Sequence, residues 1–441
     1  MPAGFTGIGE WGDIASLGRV GYPNPTIGLI TGYPMQDGAN RSLYSDILSV
    51  YAESCTAPLL LVILTESVAP GFGRLGPAIE VSPPNQSERE EFLAAIAAKN
   101  GFAVDGVPFA AQALAGLDSI EIRQIGLLQL LSLGRYEASR AALEKAHRLV
   151  AGGLLDIIPP MEGMAEVGGL DGLKAWLTTR RLAFSPEAEQ FGIPRPRGIL
   201  LVGPPGTGKS LSARAVASSW NFPLARVDIG KLYGSYVGES EKNLRLVLTQ
   251  LQGMSPVIAW IDEVEKGLSG AQSGGGGSEI ARRLLQSLLT AMQESGGIFW
   301  FFTANDVSAL PPELVRKGRI DELFWLDLPT TLERVDILKI HLAKRRRLEE
   351  MFDVAALARQ SEGFSGSELE AVVVDGLHTA FGADRDLTTE DIAEAIRNTK
   401  PLSILYPEQI QSIRKWGTAH ARPAAGRAKA SGTPETHRLQ S

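Results

Sequence analysis

The chain is poor in cysteine: Cys55 is the single one in 441 residues. That excludes an intramolecular disulfide and any cysteine-based zinc cluster, and it predicts a reducing cytoplasm as the setting. Long apolar runs are missing too. A run such as Leu59 to Leu64 is far too short to cross a bilayer, so no membrane partner is expected. No basic stretch followed by an apolar one opens the chain, and no secretion signal is expected. None of the five histidines sits in His-Glu-x-x-His, which removes a zinc-protease reading. A basic surplus is absent as well. The net charge of −7 suits a chain that does not grip phosphate backbones, and no DNA-binding module is visible. The densest basic strip, Lys344-Arg345-Arg346-Arg347, reads as a solvated helix end.

What is present is ordinary globular material, 44% hydrophobic and 21% charged, long enough for two or three domains. Residues 1–25 are an irregular Gly/Pro-rich segment. Residues 26–150 read as a small α/β domain, with buried strands at Thr26–Thr31 and Leu59–Thr65, a helix from Asn40 to Glu53 between them, and helices after Ser87. Gly152-Gly153 and Pro159-Pro160 mark a linker over 151–164. From 165 to 330, apolar strands alternate with helices, the pattern of a parallel sheet covered on both faces. Residues 331–422 read as helical, and 423–441 as a disordered tail.

The decisive stretch is "GILLVGPPGTGKSLSARAVA". Gly203-Pro204-Pro205-Gly206-Thr207-Gly208-Lys209-Ser210, followed by Leu211, fits a phosphate-binding loop between strand and helix. Its glycines let backbone N–H groups turn inward on phosphate oxygens, and the following helix offers its positive end. Lys209 should reach the outer phosphates and Ser210 should ligate Mg²⁺. In "VIAWIDEVEK", Asp262 closes an apolar strand where it can hold the metal, and Glu263 is placed to polarise the attacking water. "IFWFFTAND" ends in Asn305, an amide that can hold the same water without adding charge. Arg316 and Arg319, three apart, suit the γ-phosphate of a neighbouring subunit; otherwise they are surface arginines near Asp321 and Glu322.

From Val167 to Ala395, this constellation resembles the AAA family of ATPases, near the subgroup of katanin and spastin. The resemblance implies an AAA+ αβα parallel-sheet domain with a helical lid, with ATP and Mg²⁺ as cofactors. It implies a homo-oligomeric ring, usually of six, with ATP between subunits. Val167-Gly168 looks like the adenine-side segment, His341 in "ILKIHLAKR" like the lid histidine near adenine and ribose, and Gly366 and Ser367 in "GFSGSELE" like the lid motif. In "LYGSYVGESEKNLR", Tyr236 and Val237 match the family's pore loop, where an aromatic ring grips a client polypeptide. Alternatively, Tyr236 packs under its own domain. The Gly-rich stretch Gly267–Glu279 is either a second pore loop or a slack surface insertion. "DGLKAWLTTRRLAFSPEAEQFGIPRPRGILL" and "KPLSILYPEQI" look like the hypothetical chloroplast open reading frame forty-six proteins of cyanobacteria, plastids and other bacteria.

A weak internal repeat accounts for the first third. "PGFGRLGPAIEVSPPNQSEREEFL" parallels "PELVRKGRIDELFWLDLPTTLERVDIL", with Glu88-Arg89 against Glu333-Arg334, and "GLDSIEI" parallels "GFSGSEL". Residues 26–150 therefore read as a degenerate, truncated AAA-like domain without a phosphate loop; otherwise they are an unrelated α/β domain whose short motifs match by chance. The expected function is an ATP-hydrolysing remodeller that pulls on a client protein. The alternative is a nucleotide-operated adaptor or switch without threading; a nucleic-acid motor fits least.

Overall fold

The computed structural model describes residues 83–150, 153–159, 163–233, 239–268, 276–294, 296–308, 310–316 and 318–425. At 26–30, 59–63 and 276–281 it describes backbone alone. The chain divides into two units, residues 1–82 and 83–441. In the first, β1 (Thr26–Ile30) and β2 (Leu59–Ile63) pair in parallel, Thr26 opposite Leu59. The helix expected from Asn40 to Glu53 lies outside the described residues.

The second unit opens with four helices, α1 (Gln86–Lys99), α2 (Val107–Ala113), α3 (Ser119–Leu133) and α4 (Ala138–Leu149). They enclose their own core of Leu93, Leu114, Ile122, Ile125 and Tyr136. The stretch expected to be a linker, 151–164, instead supplies a strand. β3 (Leu155–Ile158) pairs antiparallel with β5 (Leu224–Val227), Leu155 opposite Val227. Leu155 is buried there, so four residues of the connection become a sheet edge.

The remaining strands are β4 (Gly198–Val202), β6 (Val257–Ile261), β7 (Ile298–Ala304), β8 (Glu322–Trp325) and β9 (Arg422–Pro423). The seven-stranded order is β3-β5-β6-β7-β4-β8-β9, and every pairing except β3–β5 is parallel. β4, β6 and β7 are buried at every position. Such strands belong in a parallel sheet clothed on both faces. Their side chains alternate: Leu200, Val202, Trp300 and Phe302 enter one core, Ile199, Leu201, Phe299 and Phe301 the other. The first core is covered by α7 (Glu239–Met254) and α9 (Gly276–Glu294); the second by α5 (Asp171–Arg181) and α6 (Lys209–Trp220). Between α7 and α9, α8 (Val264–Leu268) follows directly on β6.

After β8 the chain forms α10 (Thr331–Lys344), α11 (Val354–Gln360), α12 (Gly366–Gly382) and α13 (Thr389–Asn398), with a separate core around Leu338, Leu357, Leu369 and Ile392. α14 (Pro407–His420) then returns to the sheet and leads into β9. Residues 423–425, expected to belong to a disordered tail, are instead held in place. Pro423 pairs with Trp325, and the Ala424 N–H donates to the Trp325 carbonyl at 3.0 Å, so the chain is held at the sheet edge through Ala425. Residues 426–441 lie outside the described residues. Among the described residues, no helix is long and apolar enough to cross a membrane.

Candidate active site

The phosphate loop connects the end of β4 to the start of α6 at Lys209. Gly206 and Gly208 have φ of +76° and +90°, in the left-handed region that glycine adopts without strain. Gly206 also has no room for a side chain, which would strike the Ser367 hydroxyl of α12. The Gly206 carbonyl accepts from the Ser367 N–H at 3.1 Å, so the start of α12 rests on the loop.

Lys209 is only 6% exposed, and its Nζ donates to the Gly203 and Pro204 carbonyls, both at 2.7 Å. Burial pushes its ammonium down to about 8, against the pull of Glu265, Asp262 and Glu263. Thr207 closes the loop by donating to the Pro204 carbonyl at 2.8 Å.

Asp262 and Glu263 follow the last residue of β6. The Ser210 hydroxyl donates to Asp262 Oδ1 at 3.2 Å, and the Thr303 hydroxyl of β7 donates to the same oxygen. Glu263 has φ +49°, and its N–H donates to Thr303 Oγ1 at 3.0 Å. Both its carboxylate oxygens are engaged: Oε1 accepts from Asn305 Nδ2 at 2.8 Å, and Oε2 lies 2.6 Å from Lys266 Nζ. Asn305 is itself anchored, its N–H donating to Glu265 Oε1 at 3.0 Å. Burial raises the Glu265 carboxyl above its usual range.

These groups share one cleft of about 720 Å³. Its lining includes Pro205 to Leu211, Asp262, Glu263 and Asn305, and on the far side Val167, Gly168, His341, Gly366 and Ser367. Gly203 and Pro204 sit just behind, as the acceptors of Lys209. His341 is pushed down from its ordinary value by burial, with Glu370 pulling the other way from 3.6 Å. Its Nδ1 is buried without a hydrogen-bond partner. A glycine-lined loop, a buried ammonium and an orphaned ring nitrogen fit a nucleoside triphosphate. A hydroxyl and a carboxylate 3.2 Å apart, those of Ser210 and Asp262, are hard oxygen donors of the kind that would hold Mg²⁺.

Arg316 and Arg319 do not line this cleft. Arg316 is exposed, and Arg319 Nη1 donates to the Glu313 carbonyl at 3.2 Å. Tyr236 and Val237 lie outside the described residues, as does most of Gly267–Glu279. Several lining residues carry no sequence signal. Trp325, Glu333, Glu370 and Pro423 to Ala425 reach the cleft only because distant segments converge there. The basic strip is partly structural: Lys344 pairs with Glu166 at 2.8 Å, Arg345 with Glu370 at 2.9 Å and Arg347 with Asp386 at 2.8 Å.

Residues 199–328 match the family described as "ATPase family associated with various cellular activities (AAA)". The chain is 42% identical over 291 residues to the uncharacterized AAA domain-containing protein ycf46 of Pyropia yezoensis, covering 66% of this chain and 58% of that protein. Its identity to ycf46 of Guillardia theta is 39% over 268 residues, 60% of this chain and 53% of that one. It is 31% identical over 257 residues to the cell division cycle protein 48 homolog of Archaeoglobus fulgidus, 56% of this chain and 35% of that one. The chain thus spans little more than half the length of the ycf46 relatives it matches.

Proposed function

Since the chain carries an AAA ATPase domain and is homologous to the plastid ycf46 AAA domain-containing proteins, we propose that it is a ring-forming ATPase that couples hydrolysis to pulling on a client polypeptide. The observation that carries the hydrolytic part is the Glu263–Asn305 pair beside Asp262 and Ser210, at the mouth of the phosphate loop. In this reading the loop N–H groups and Lys209 bind the phosphates of ATP. Ser210 and Asp262 hold Mg²⁺, which supplies charge neutralisation at the outer phosphates. Asn305 orients Glu263, and Glu263 takes the proton of the attacking water. Arg316 and Arg319 complete the neighbour's site, six protomers to a ring. What supports this is their absence from the lining of their own cleft.

The remodelling part rests on kinship with the cell division cycle protein 48 homolog and on Tyr236 and Val237 as the client-gripping step. A reducing cytoplasm and the absence of a nucleic-acid partner remain part of the proposal, from the single cysteine and the acidic balance. The test is affinity capture with Glu263→Gln. Arrested hydrolysis should retain ATP and client together, while Lys209→Ala retains neither. Equal capture by both variants would sink the reading.

One observation favours the alternative, a nucleotide-operated adaptor. The α1–α4 unit exposes apolar side chains, Phe109 at 68% and Leu131 at 71%, as a docking surface does. Tyr236→Ala separates the two readings: threading requires that ring, and an adaptor works without it.

A further inference from the structure

The cleft is lined in part by a segment far beyond the family match, which ends at residue 328. Pro423, Ala424 and Ala425 line it beside Val167, Gly168 and Leu170. The Ala424 N–H donates to the Trp325 carbonyl, and the Ala424 carbonyl accepts from the Leu173 N–H, both at 3.0 Å. Leu173 is in the first turn of α5, where a backbone donor has no partner within its own helix. The returning segment thus caps the helix whose lead-in, Val167 to Leu170, forms the adjoining wall. Ala424 is completely buried, while Ala425 stays exposed at the rim.

The segment is delivered by α14, and α14 is seated on the same cleft. Gly417 packs on Trp325 so closely that a side-chain carbon there would fall 2.7 Å from the indole. Arg414 Nε donates to both carboxylate oxygens of Asp327, at 2.8 and 2.9 Å. Trp325 and Asp327 both line the cleft. α14 follows the lid helices in the chain, so lid and sheet are joined twice, at the Leu326–Thr330 crossing and through this return.

Resting on the reading that the cleft binds ATP, we propose that Pro423–Ala425 is the wall against which the purine base of the nucleotide lies. The wall presents the pyrrolidine ring of Pro423 and the methyl group of Ala425, with the Ala424 methyl packed into the core behind them. That surface suits a flat heterocycle and offers more contact to a two-ring base than to a one-ring base. The phosphate loop, by contrast, holds every nucleoside triphosphate alike. Base preference therefore resides in a segment that the lid's return helix positions.

The test compares wild type and Ala425→Trp as full-length proteins. Affinities for ATP and CTP are measured by competition against a fluorescent ATP analogue, with melting temperatures taken without nucleotide. Wild type should prefer ATP to CTP about ten-fold. Ala425→Trp should weaken ATP about ten-fold while changing CTP far less and leaving the melting temperature in place. An Ala425→Trp protein that keeps the wild-type ATP and CTP affinities overturns the wall. So does one that weakens both nucleotides equally. If wild type binds neither nucleotide, the ATP reading itself fails and takes the wall with it.

Discussion

Arg89 and Arg334, in separate hydrophobic cores, are buried by the same three-pronged contact. Arg89 Nε donates to the Ala111 carbonyl at 2.7 Å, Nη1 to the Pro84 carbonyl at 2.5 Å and Nη2 to Gln86 Oε1 at 2.7 Å. Arg334 donates likewise to the Ala358 and Pro329 carbonyls, both at 2.7 Å, and to Thr331 Oγ1 at 3.1 Å. Each guanidinium ties a proline carbonyl ahead of its own helix to the last turn of the next helix. Each helix also begins with a capping box, Asn85 with Glu88 and Thr330 with Glu333. Replacing either arginine by Met leaves buried carbonyls unpaired and should cost about 1–3 kcal/mol. Because the two sites share no core, the double variant should show the sum in denaturant titrations. Strong non-additivity would mean that the two sites are energetically coupled.

Lys145 sets a pH dependence in the first helical unit. It is 2% exposed, its Nζ donates to the Ala115 carbonyl at 2.6 Å, and burial lowers it to about 8, assisted by the nearby Arg89 charge. The unfolded chain holds that proton up to about pH 10.4, so the folded state carries the full penalty below 8. Stability should therefore rise between pH 8 and 10, by up to about 3 kcal/mol. Beyond pH 10 it should fall again. Burial raises Tyr136 to about 12, and the unfolded chain then loses a phenolic proton that the folded one keeps. Denaturation midpoints at pH 7 to 11 check this; Lys145→Met should reduce the rise, leaving the part that the similarly buried Lys209 contributes.

The trans assignment of Arg316 and Arg319 has a complementation test. Lys209→Ala and Arg319→Ala should each lower ATP hydrolysis at least about a hundred-fold when pure. Mixing them should restore part of the activity, because some seams then join an intact Lys209 to an intact Arg319. Mixtures as inactive as their components would assign Arg319 to its own chain or to no phosphate at all.

Lys266 holds one oxygen of Glu263 at 2.6 Å while Asn305 holds the other at 2.8 Å. The Lys266 side chain is largely exposed, so its ion pair is the weaker restraint. If Glu263 must swing from Lys266 to meet the water, Lys266→Met should raise kcat about two- to five-fold with KM unchanged, and Lys266→Arg should not. A fall in kcat would show instead that Lys266 aims Glu263 productively.

The phosphate loop, Asp262, Glu263 and Asn305 were legible because each closes or follows a buried strand whose residues are neighbours in the chain. A parallel sheet brings such strand ends to one rim whatever surrounds it. The strand at Leu155–Ile158 was not legible, since four residues with one fully buried position carry too little periodicity to stand apart from a linker. The same holds for Pro423 to Ala425, whose small residues resemble a tail until Trp325 and Leu173 supply their hydrogen-bond partners. Local order of residues thus determined which groups the chain brings to the cleft: the glycine-lined loop with Lys209, the Ser210–Asp262 pair, and Glu263 with Asn305. Only the tertiary structure decided what walls the cleft, which groups restrain Glu263, and that Arg316 and Arg319 stand outside their own cleft. Apart from the Lys266–Glu263 pair, three residues apart, those relationships join segments separated by many residues, and they exist only once the chain has packed.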